Sequence, residues 1–344
     1  MGEQNAVPQA LPPDAHLMQL GMGMFPAQAI FVAAKLGIPD LLAVGARTTA
    51  DLAEATGTHE SSLFRILRTL ASLGAFTEVG ERTFANTPVT EILRSDSPRS
   101  MRDMILWMSE APHWAIYSRM IDSVRTGKPI WEDVHGEPVF PYLFETDKPL
   151  GDVFNRAMTS FSQVTIPAII ASYDFSNAAT IADIAGGYGH LLAAVLQEYP
   201  SANGVLFDLP HVLEGAPAML ESKGVADRVT MVGGSFLEEI PVVADIYMLK
   251  HIIHDWYDDT NQMILGNIRS SMPDDAKVLI IDAVVPAGDE PHFSKILDLE
   301  MLISPGGMER TAAEFERLLA ASGFRLYRLI PTQSPVSIVE AVRA

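Results

Sequence analysis

The stretch Thr180–Gln197 reads T-I-A-D-I-A-G-G-Y-G-H-L-L-A-A-V-L-Q, and its reading decides the fold. Ile181, Ala182, Asp183, Ile184 and Ala185 form a short, mostly apolar run that suits a buried parallel strand. Gly186, Gly187 and Gly189 follow, interrupted only by Tyr188. Leu191, Leu192, Val195 and Leu196 then recur at helical spacing. The pattern predicts strand, glycine turn, helix. Glycines serve where the backbone takes positive φ or a ligand approaches with no Cβ in the way. The helix start behind them offers unpaired N–H groups and a positive dipole end.

The dinucleotide fingerprint G-x-G-x-x-G is not met, because Leu192 stands where its third glycine belongs. Asp183 instead lies inside the strand just before the turn, and a carboxylate there suits a cationic ligand better than a pyrophosphate. Asp208 ends the next apolar run, Gly204–Phe207, and is placed to accept the two hydroxyls of a ribose. An adenosine with a positively charged tail satisfies both, which is the chemistry of S-adenosylmethionine. The plain alternative is that Asp183 only caps a turn.

Outward from this stretch, strands and helices alternate to the end of the chain. Predicted strands are Ile181–Ala185, Gly204–Asp208, Val229–Val232, Asp245–Leu249 and Val278–Asp282, with helices between them. That alternation implies a parallel sheet covered on both faces. Thr311 and Glu314 form a capping box for the last helix, which ends at Gly323. Arg325–Ile330 and Val336–Val342 follow, and the short gap Pro331–Pro335 permits only an antiparallel hairpin. Gly187, Asp208, Ser235, Lys250 and Asp282 all fall at the carboxyl ends of strands, where ligands of open α/β sheets bind.

The N-terminal half reads differently. Residues 1–14 hold Pro8, Pro12 and Pro13 and are expected to be a loose tail. From His16 to Leu42 the chain reads as a helix nearly apolar on all sides, which needs cover from two directions and predicts a homodimer. Thr49 precedes a short helix, Ala50–Thr56, stopped at Gly57. Ser61 or Ser62 is the expected cap of a second helix, with Leu63, Ile66, Leu67, Leu70 and Leu73 as its apolar stripe. Phe76–Val79 and Arg82–Phe84 flank Gly80-Glu81 as a hairpin. This is a winged-helix arrangement, for which DNA binding and dimerisation are rival readings. Between Thr48 and Arg94 the bases Arg65, Arg68, Arg82 and Arg94 face the acids Asp51, Glu54, Glu60, Glu78, Glu81 and Glu91. That surplus of acid favours dimerisation over a phosphate backbone.

Residues 101–173 are expected to be a helical connector rich in Met and aromatic side chains, which make adaptable walls for a flat apolar ligand. Trp107, Met108, Phe154, Met158 and Phe161 are the candidates there. The expected domains are thus 1–14, 15–100, 101–173 and 174–344.

Bulk properties agree. A chain of 344 residues with 48% hydrophobic content is long and apolar enough for about two domains with real cores. It contains no cysteine, so disulfides and thiolate metal sites are excluded. A net charge of −19 disfavours nucleic acid as a partner. No leader-like segment and no long apolar run appear, so a cytoplasmic protein without membrane association is expected.

The densest chemistry is Leu249-Lys250-His251-Ile252-Ile253-His254-Asp255-Trp256-Tyr257-Asp258-Asp259. His251 with Asp255, and His254 with Asp258, are i, i+4 pairs that would suit a metal only if one helix carried them. A loop is expected directly after a strand, so no metal is predicted. A general base is the alternative, one imidazole with its second nitrogen held by a carboxylate. His251 is the better candidate for an ordinary surface histidine.

These segments together resemble the small-molecule O-methyltransferases of the caffeic acid and hydroxyneurosporene type, which include bacterial antibiotic-tailoring enzymes. Their motifs D-V-G-G-G-x-G, F-D-L-P-x-V, L-K-x-x-x-H-D-W and G-G-x-E-R-T are matched in order. The matching stretches are Asp183–Gly189, Phe207–Val212, Leu249–Trp256 and Gly306–Thr311. The winged-helix region resembles the dimerisation domain of that family. The resemblance implies a Rossmann-like, seven-stranded α/β methyltransferase sheet closed by an antiparallel hairpin. It also implies S-adenosylmethionine as cofactor and a small hydroxylated aromatic as substrate. By motif, His254 is the base, with Asp255, Asp282 and Glu309 as the acids around it. Asp183, Gly186, Gly187, Gly189, Asp208, Leu209, Ser235, Phe236, Lys250 and Ser162 form the cofactor set, and Met301 joins the substrate wall. Three positions depart. Ala185 replaces a glycine, which is tolerable at negative φ; Tyr188 fills a variable place; Ser235 replaces an aspartate expected near the adenine.

Two other activities compete with this one. Some members of the family use the cofactor's positive charge for hydroxylation, decarboxylation or cyclisation, and a ligand-responsive DNA-binding regulator would use the winged helix. Nitrogen and carbon acceptors are open as well. For a phenol of pKa about 10 and an ordinary histidine of about 6.5, full proton transfer costs roughly 5 kcal/mol. A carboxylate behind the imidazole lowers that cost.

Overall fold

The structure, a computed structural model, describes residues 11–344. Residues 1–10 of the expected tail lie outside the described residues, and Pro13 and Asp14 already belong to a helix, Pro13–Gly21. Contacts divide the chain into two compact units. One runs up to His113 and includes Asp152–Ser160; the other comprises Trp114–Gly151 and Phe161–Ala344. The helical stretch 101–173 is therefore shared between the two units.

In the first unit the expected single helix from His16 to Leu42 is three: Pro13–Gly21, Met24–Lys35 and Ile38–Leu41. The breaks fall at Met22–Gly23 and at Gly37, which takes the left-handed φ of 67° that favours glycine. The first helix buries nothing, and Leu17 is 71% exposed. Strand β1 (Arg47–Thr48) leads into helix Thr49–Thr56, where Thr48 and Asp51 form a capping box. Such a cap contributes about 1 kcal/mol. The next helix, Glu60–Ser72, starts after His59, which makes no side-chain cap, so neither Ser61 nor Ser62 is its cap. Its face Leu63, Leu67 and Leu70 packs with Ala29, Ala33, Leu52, Phe76 and Phe84, at roughly 1.5–3 kcal/mol for each large side chain buried. Strands β2 (Phe76–Gly80) and β3 (Thr83–Asn86) form the wing, and β1 adds to β3 as a third strand.

The second unit is built on seven strands. They are β4 (Thr180–Ile184), β5 (Asn203–Asp208), β6 (Val229–Gly233), β7 (Ile246–Lys250), β8 (Lys277–Asp282), β11 (Phe324–Pro331) and β12 (Ser337–Arg343). Two short strands between them, β9 (Val284–Val285) and β10 (Arg310–Thr311), pair in parallel apart from the main sheet. The main order is β11-β12-β8-β7-β4-β5-β6. Strands β4 to β8 are parallel, and β12 runs antiparallel to both β8 and β11. The central strands β4, β7 and β8 are buried on both faces, which is why they read as continuous apolar runs. Along β7, Ile246 and Met248 join one core with Leu192, Leu196 and Ile281. Tyr247 and Leu249 join the other, with Ile264, Phe315 and Leu319. Alternate side chains of one strand thus serve both layers. Helix Ala312–Ala321 begins with the expected Thr311–Glu314 capping box.

The parallel strands end together. Asp183 pairs with Leu206 and Met248, and Lys250 with Ile281, so the residues after Ile184, Asp208, Lys250 and Asp282 emerge on one edge. Among the described residues, no single helix is long and apolar enough to cross a membrane.

Candidate active site

The glycine turn leaves β4 through three left-handed residues: Ala185 at φ 55°, Gly187 at 60° and Gly189 at 83°. The sequence reading tolerated Ala185 in place of glycine only at negative φ, so the structure corrects it. An alanine in this region carries about 1–2 kcal/mol of strain. The backbone N–H groups of Ala185 and Gly186 both donate to the Phe207 carbonyl, which holds the turn against β5. Gly186 is needed for another reason. A Cβ there would lie 2.6 Å from Asp183 Cγ and 2.6 Å from Leu206 Cδ1.

Asp183 is 2% exposed beneath this turn, and its Oδ2 has no hydrogen-bond partner. Burial pushes its carboxyl up to about 7, against the pull of Lys250. Asp208 accepts from the Gly187 N–H through Oδ2 and from the Leu209 N–H through Oδ1, both at 2.7 Å. Burial raises its pKa, and these two N–H groups oppose the rise. Each carboxylate oxygen retains a lone pair for a further donor. Helix His190–Glu198 starts directly behind, with no side chain capping it. An uncapped helix start, a buried carboxylate oxygen without a partner and a turn that excludes Cβ together fit a cationic nucleoside ligand.

Nearby, Leu209 is exposed, while Ser235 accepts from the Leu237 N–H at 3.2 Å and so caps its own turn. Phe236 sets its ring edge-on to Trp256, with centroids 6.0 Å apart. Lys250 donates to the Ser162 hydroxyl at 2.9 Å. Burial lowers the Lys250 pKa, opposed by Asp183 and Asp282.

His251 is not the surface histidine that its sequence position suggests. Its side chain is 14% exposed and its backbone is left-handed at φ 57°. Its N–H donates to Asp282 Oδ1 at 3.0 Å. The ring lies 5.3 Å from that of Phe161 and 5.0 Å from that of His254, centroid to centroid. Burial, then Lys250 and His254, hold its pKa well below the ordinary value, so it is neutral. Its Nε2 is buried without a partner.

His254 sits in the short 3-10 turn Ile253–Asp255. Its Nδ1 is 2.7 Å from Glu309 Oε1, and its Nε2 is 3.5 Å from Asp255 Oδ1. Burial alone would lower its pKa. Asp255, Asp282 and the hydrogen bond to Glu309 outweigh that effect and raise it to about 10. The carboxyls of Asp255 and Asp282 are both pushed up to about 6, chiefly by burial. Asp282 Oδ2 and Glu309 Oε2 lack partners. The i, i+4 pairs considered from sequence do not form, and Asp258 is instead tied to Arg310. What forms is a cluster of His251, His254 and Asp282, whose ligand-type atoms lie within 4.8 Å of one another.

Several residues that hold this arrangement carried no role in the sequence reading. Arg310, 1% exposed, donates to the carbonyls of Ile253, Trp256 and Met308 and to Asp258. Asn261 donates to the same Ile253 and Trp256 carbonyls at 2.8 Å. Asp298 accepts from the Glu309 N–H at 2.8 Å. The Met308 N–H donates to the His254 carbonyl, and a Cβ on Gly307 would fall 1.8 Å from that oxygen.

Of the six candidate wall residues, Phe161 lies beside the histidines, and its ring is 6.1 Å from that of Phe293. Met301 is buried in the helix Phe293–Ile303 of the same unit. Trp107, Met108, Phe154 and Met158 belong to the first unit. There Trp107 packs edge-on against His113 and Phe154, with centroids 4.2 and 4.9 Å away.

Comparison with known proteins gives three findings. Residues 117–325 match the O-methyltransferase domain, and residues 18–96 match the O-methyltransferase dimerisation domain. The chain is 43% identical to the phenazine O-methyltransferase PhzM of Lysobacter antibioticus, over 96% of this chain and 97% of the relative. It is 38% identical, over 94% of each, to the 8-amino-8-demethylriboflavin N,N-dimethyltransferase of Streptomyces davaonensis. Among solved structures, the methyltransferase CalO1 of calicheamicin biosynthesis, in its SAH-bound form, superposes with a TM-score of 0.88 at 37% identity. That match covers 97% of this chain and 100% of that one.

Proposed function

The chain belongs to the O-methyltransferase family, catalytic and dimerisation domains both, and from that premise we propose that it methylates a hydroxyl of a small aromatic metabolite with His254 as general base. It is a methyltransferase of small metabolites, close to bacterial natural-product tailoring enzymes, and its cofactor is S-adenosylmethionine. When bound, this cofactor supplies an electrophilic sulfonium methyl. The glycine turn, Asp183, Asp208, Leu209, Ser235, Phe236, Lys250 and Ser162 are the residues assigned to hold it, with Asp208 accepting from the ribose.

The observation that carries the hydroxyl acceptor is the pairing of His254 Nδ1 with Glu309 at 2.7 Å. It directs Nε2 away from Glu309 as the atom that receives the acceptor's proton. The surrounding carboxylates raise the imidazole to about 10, level with a phenol of about 10. The penalty of roughly 5 kcal/mol for an ordinary histidine then nearly vanishes. An amine acceptor has less need of such a base, although the relative from Streptomyces davaonensis is named for a transfer to nitrogen. Within the unit that carries His254, Phe161 and Met301 are assigned to the aromatic substrate. The exposed apolar residues Leu17, Met18, Leu20, Met22, Met24 and Phe25 support a homodimer, since they form an apolar stretch without cover among the described residues.

Incubation with methyl-labelled cofactor and matched phenols and anilines, read by mass spectrometry, tests the proposal. The expected product is a phenol carrying one labelled methyl, lost in His254→Ala while cofactor binding persists. Label on nitrogen alone, an unmethylated product, or wild-type turnover by His254→Ala overturns it.

A further inference from the structure

Two imidazoles and a carboxylate converge beside the proposed base in a way that proton transfer alone does not require. We infer that His251, His254 and Asp282 form a binding site for a borderline divalent cation of the zinc type, and that its occupation blocks catalysis. The three residues bring ligand-type atoms within 4.8 Å of one another. Zinc–nitrogen bonds of about 2.0–2.1 Å place tetrahedral ligands about 3.4 Å apart, so the side chains must close by at most about 1.4 Å.

Three further observations favour a cation. His251 Nε2 and Asp282 Oδ2 are buried with no partner, and the Asp282 side chain is fully buried. Groups left this way are costly unless something engages them. The Nδ1 of His254 is held by Glu309 at 2.7 Å, the carboxylate–histidine arrangement that orients metal-bound imidazoles. His251 also keeps a left-handed backbone, a strain retained where the surrounding structure demands it. Two nitrogens and one carboxylate oxygen select zinc, cobalt or iron(II) over magnesium and calcium, which prefer all-oxygen shells.

Inhibition follows from valence and rests on the reading of His254 as base. With Nδ1 engaged by Glu309, Nε2 cannot both ligate a metal and take a proton. Binding is read separately from activity, so the two readings fail separately.

The probe is cobalt(II), added to chelator-treated full-length protein and followed by its visible d–d bands. The expected result is a saturable spectrum at a single equivalent, displaced by zinc, with zinc inhibition relieved by chelator. His251→Asn is the matched variant, because asparagine tolerates left-handed φ but ligates weakly. It should weaken cobalt binding about tenfold or more. In the native chain, zinc should also shift the ring resonances of two of the nine histidines, a readout independent of any variant. No cobalt spectrum, a spectrum unchanged in His251→Asn, or zinc shifts confined to other histidines overturns the site. Cobalt binding that leaves methyl transfer untouched overturns the inhibition.

Discussion

The Nδ1 of His254 and the Oε1 of Glu309 stand 2.7 Å apart although 55 positions separate them in the chain. Glu309 is 3% exposed, and its backbone is held from two sides, by Asp298 at its own N–H and by the Met308–His254 hydrogen bond. A carboxylate so fixed keeps the imidazole in one tautomer and raises its proton affinity.

Removing the base and weakening it should differ in degree. His254→Ala is expected to lower kcat by about 10²–10⁴. Glu309→Gln removes one charge-assisted hydrogen bond, worth about 1.5–3 kcal/mol, and should cost roughly 10–100-fold. Single-turnover kinetics at saturating cofactor separates the two. Equal losses would refute a supporting role for Glu309.

With His254 raised to about 10, the unprotonated base is scarce at neutral pH, so kcat/KM should climb with pH toward a limb near that value. Glu309→Gln should move the limb to lower pH. Stability has the opposite sign. A folded pKa of about 10 against roughly 6.5 unfolded gives stabilisation that is complete below pH 6.5 and lost as pH rises through 10. Asp255 and Asp282, raised to about 6, act the same way from about pH 4 to 6. Urea midpoints across this range should fall with pH, and less steeply in Glu309→Gln.

Asp183, raised to about 7 by burial, binds more proton in the folded state than unfolded. Stability from this group is therefore present below about pH 4 and lost as pH rises through 7, a cost on the order of 2–4 kcal/mol. Asp183→Asn should show a smaller fall in Tm between pH 5 and 8 than the parent. It should also bind the cationic cofactor more weakly at pH 8, as calorimetry would show.

Ala185 occupies a glycine conformation at φ 55°. Ala185→Gly should relieve about 1–2 kcal/mol of strain against roughly 0.5–1 kcal/mol of added unfolded-state entropy. The net gain of about 0.5–1 kcal/mol should raise Tm by about 1 °C. A lower Tm would show that the strain is relieved in another way.

Gly307 lies against the backbone of His254 and Asp255, where a Cβ would come within 1.8 Å of one and 2.5 Å of the other. Gly307→Ala must displace that backbone. Misplacement of about 1 Å can cost about 10²-fold, so kcat should fall while cofactor affinity holds.

Much of this was legible in the chain because it rests on short-range periodicity. The apolar runs that become β4, β5, β7 and β8 read as strands because both faces are buried, and the gap Pro331–Pro335 allowed only a hairpin. The Thr311–Glu314 cap is legible because it needs only two residues three positions apart. Local reading failed where a backbone angle or a distant partner decided. The apolar segment from His16 to Leu42 reads as one helix, yet Gly37 turns left-handed and breaks it. His251 looked like a surface residue because nothing nearby in sequence reveals Phe161 or Asp282 against it.

The sequence by itself determined the alternation of strands and helices, the glycine turn after β4 and the closing hairpin, because hydrophobic period and turn chemistry act over a few residues. Only the tertiary structure decided how the acids named by motif meet His254, that Arg310 and Asn261 hold its turn, and that His251 faces Asp282. Those contacts join positions far apart in the chain, and burial sets their proton affinities, so both arise only once the sheet has assembled.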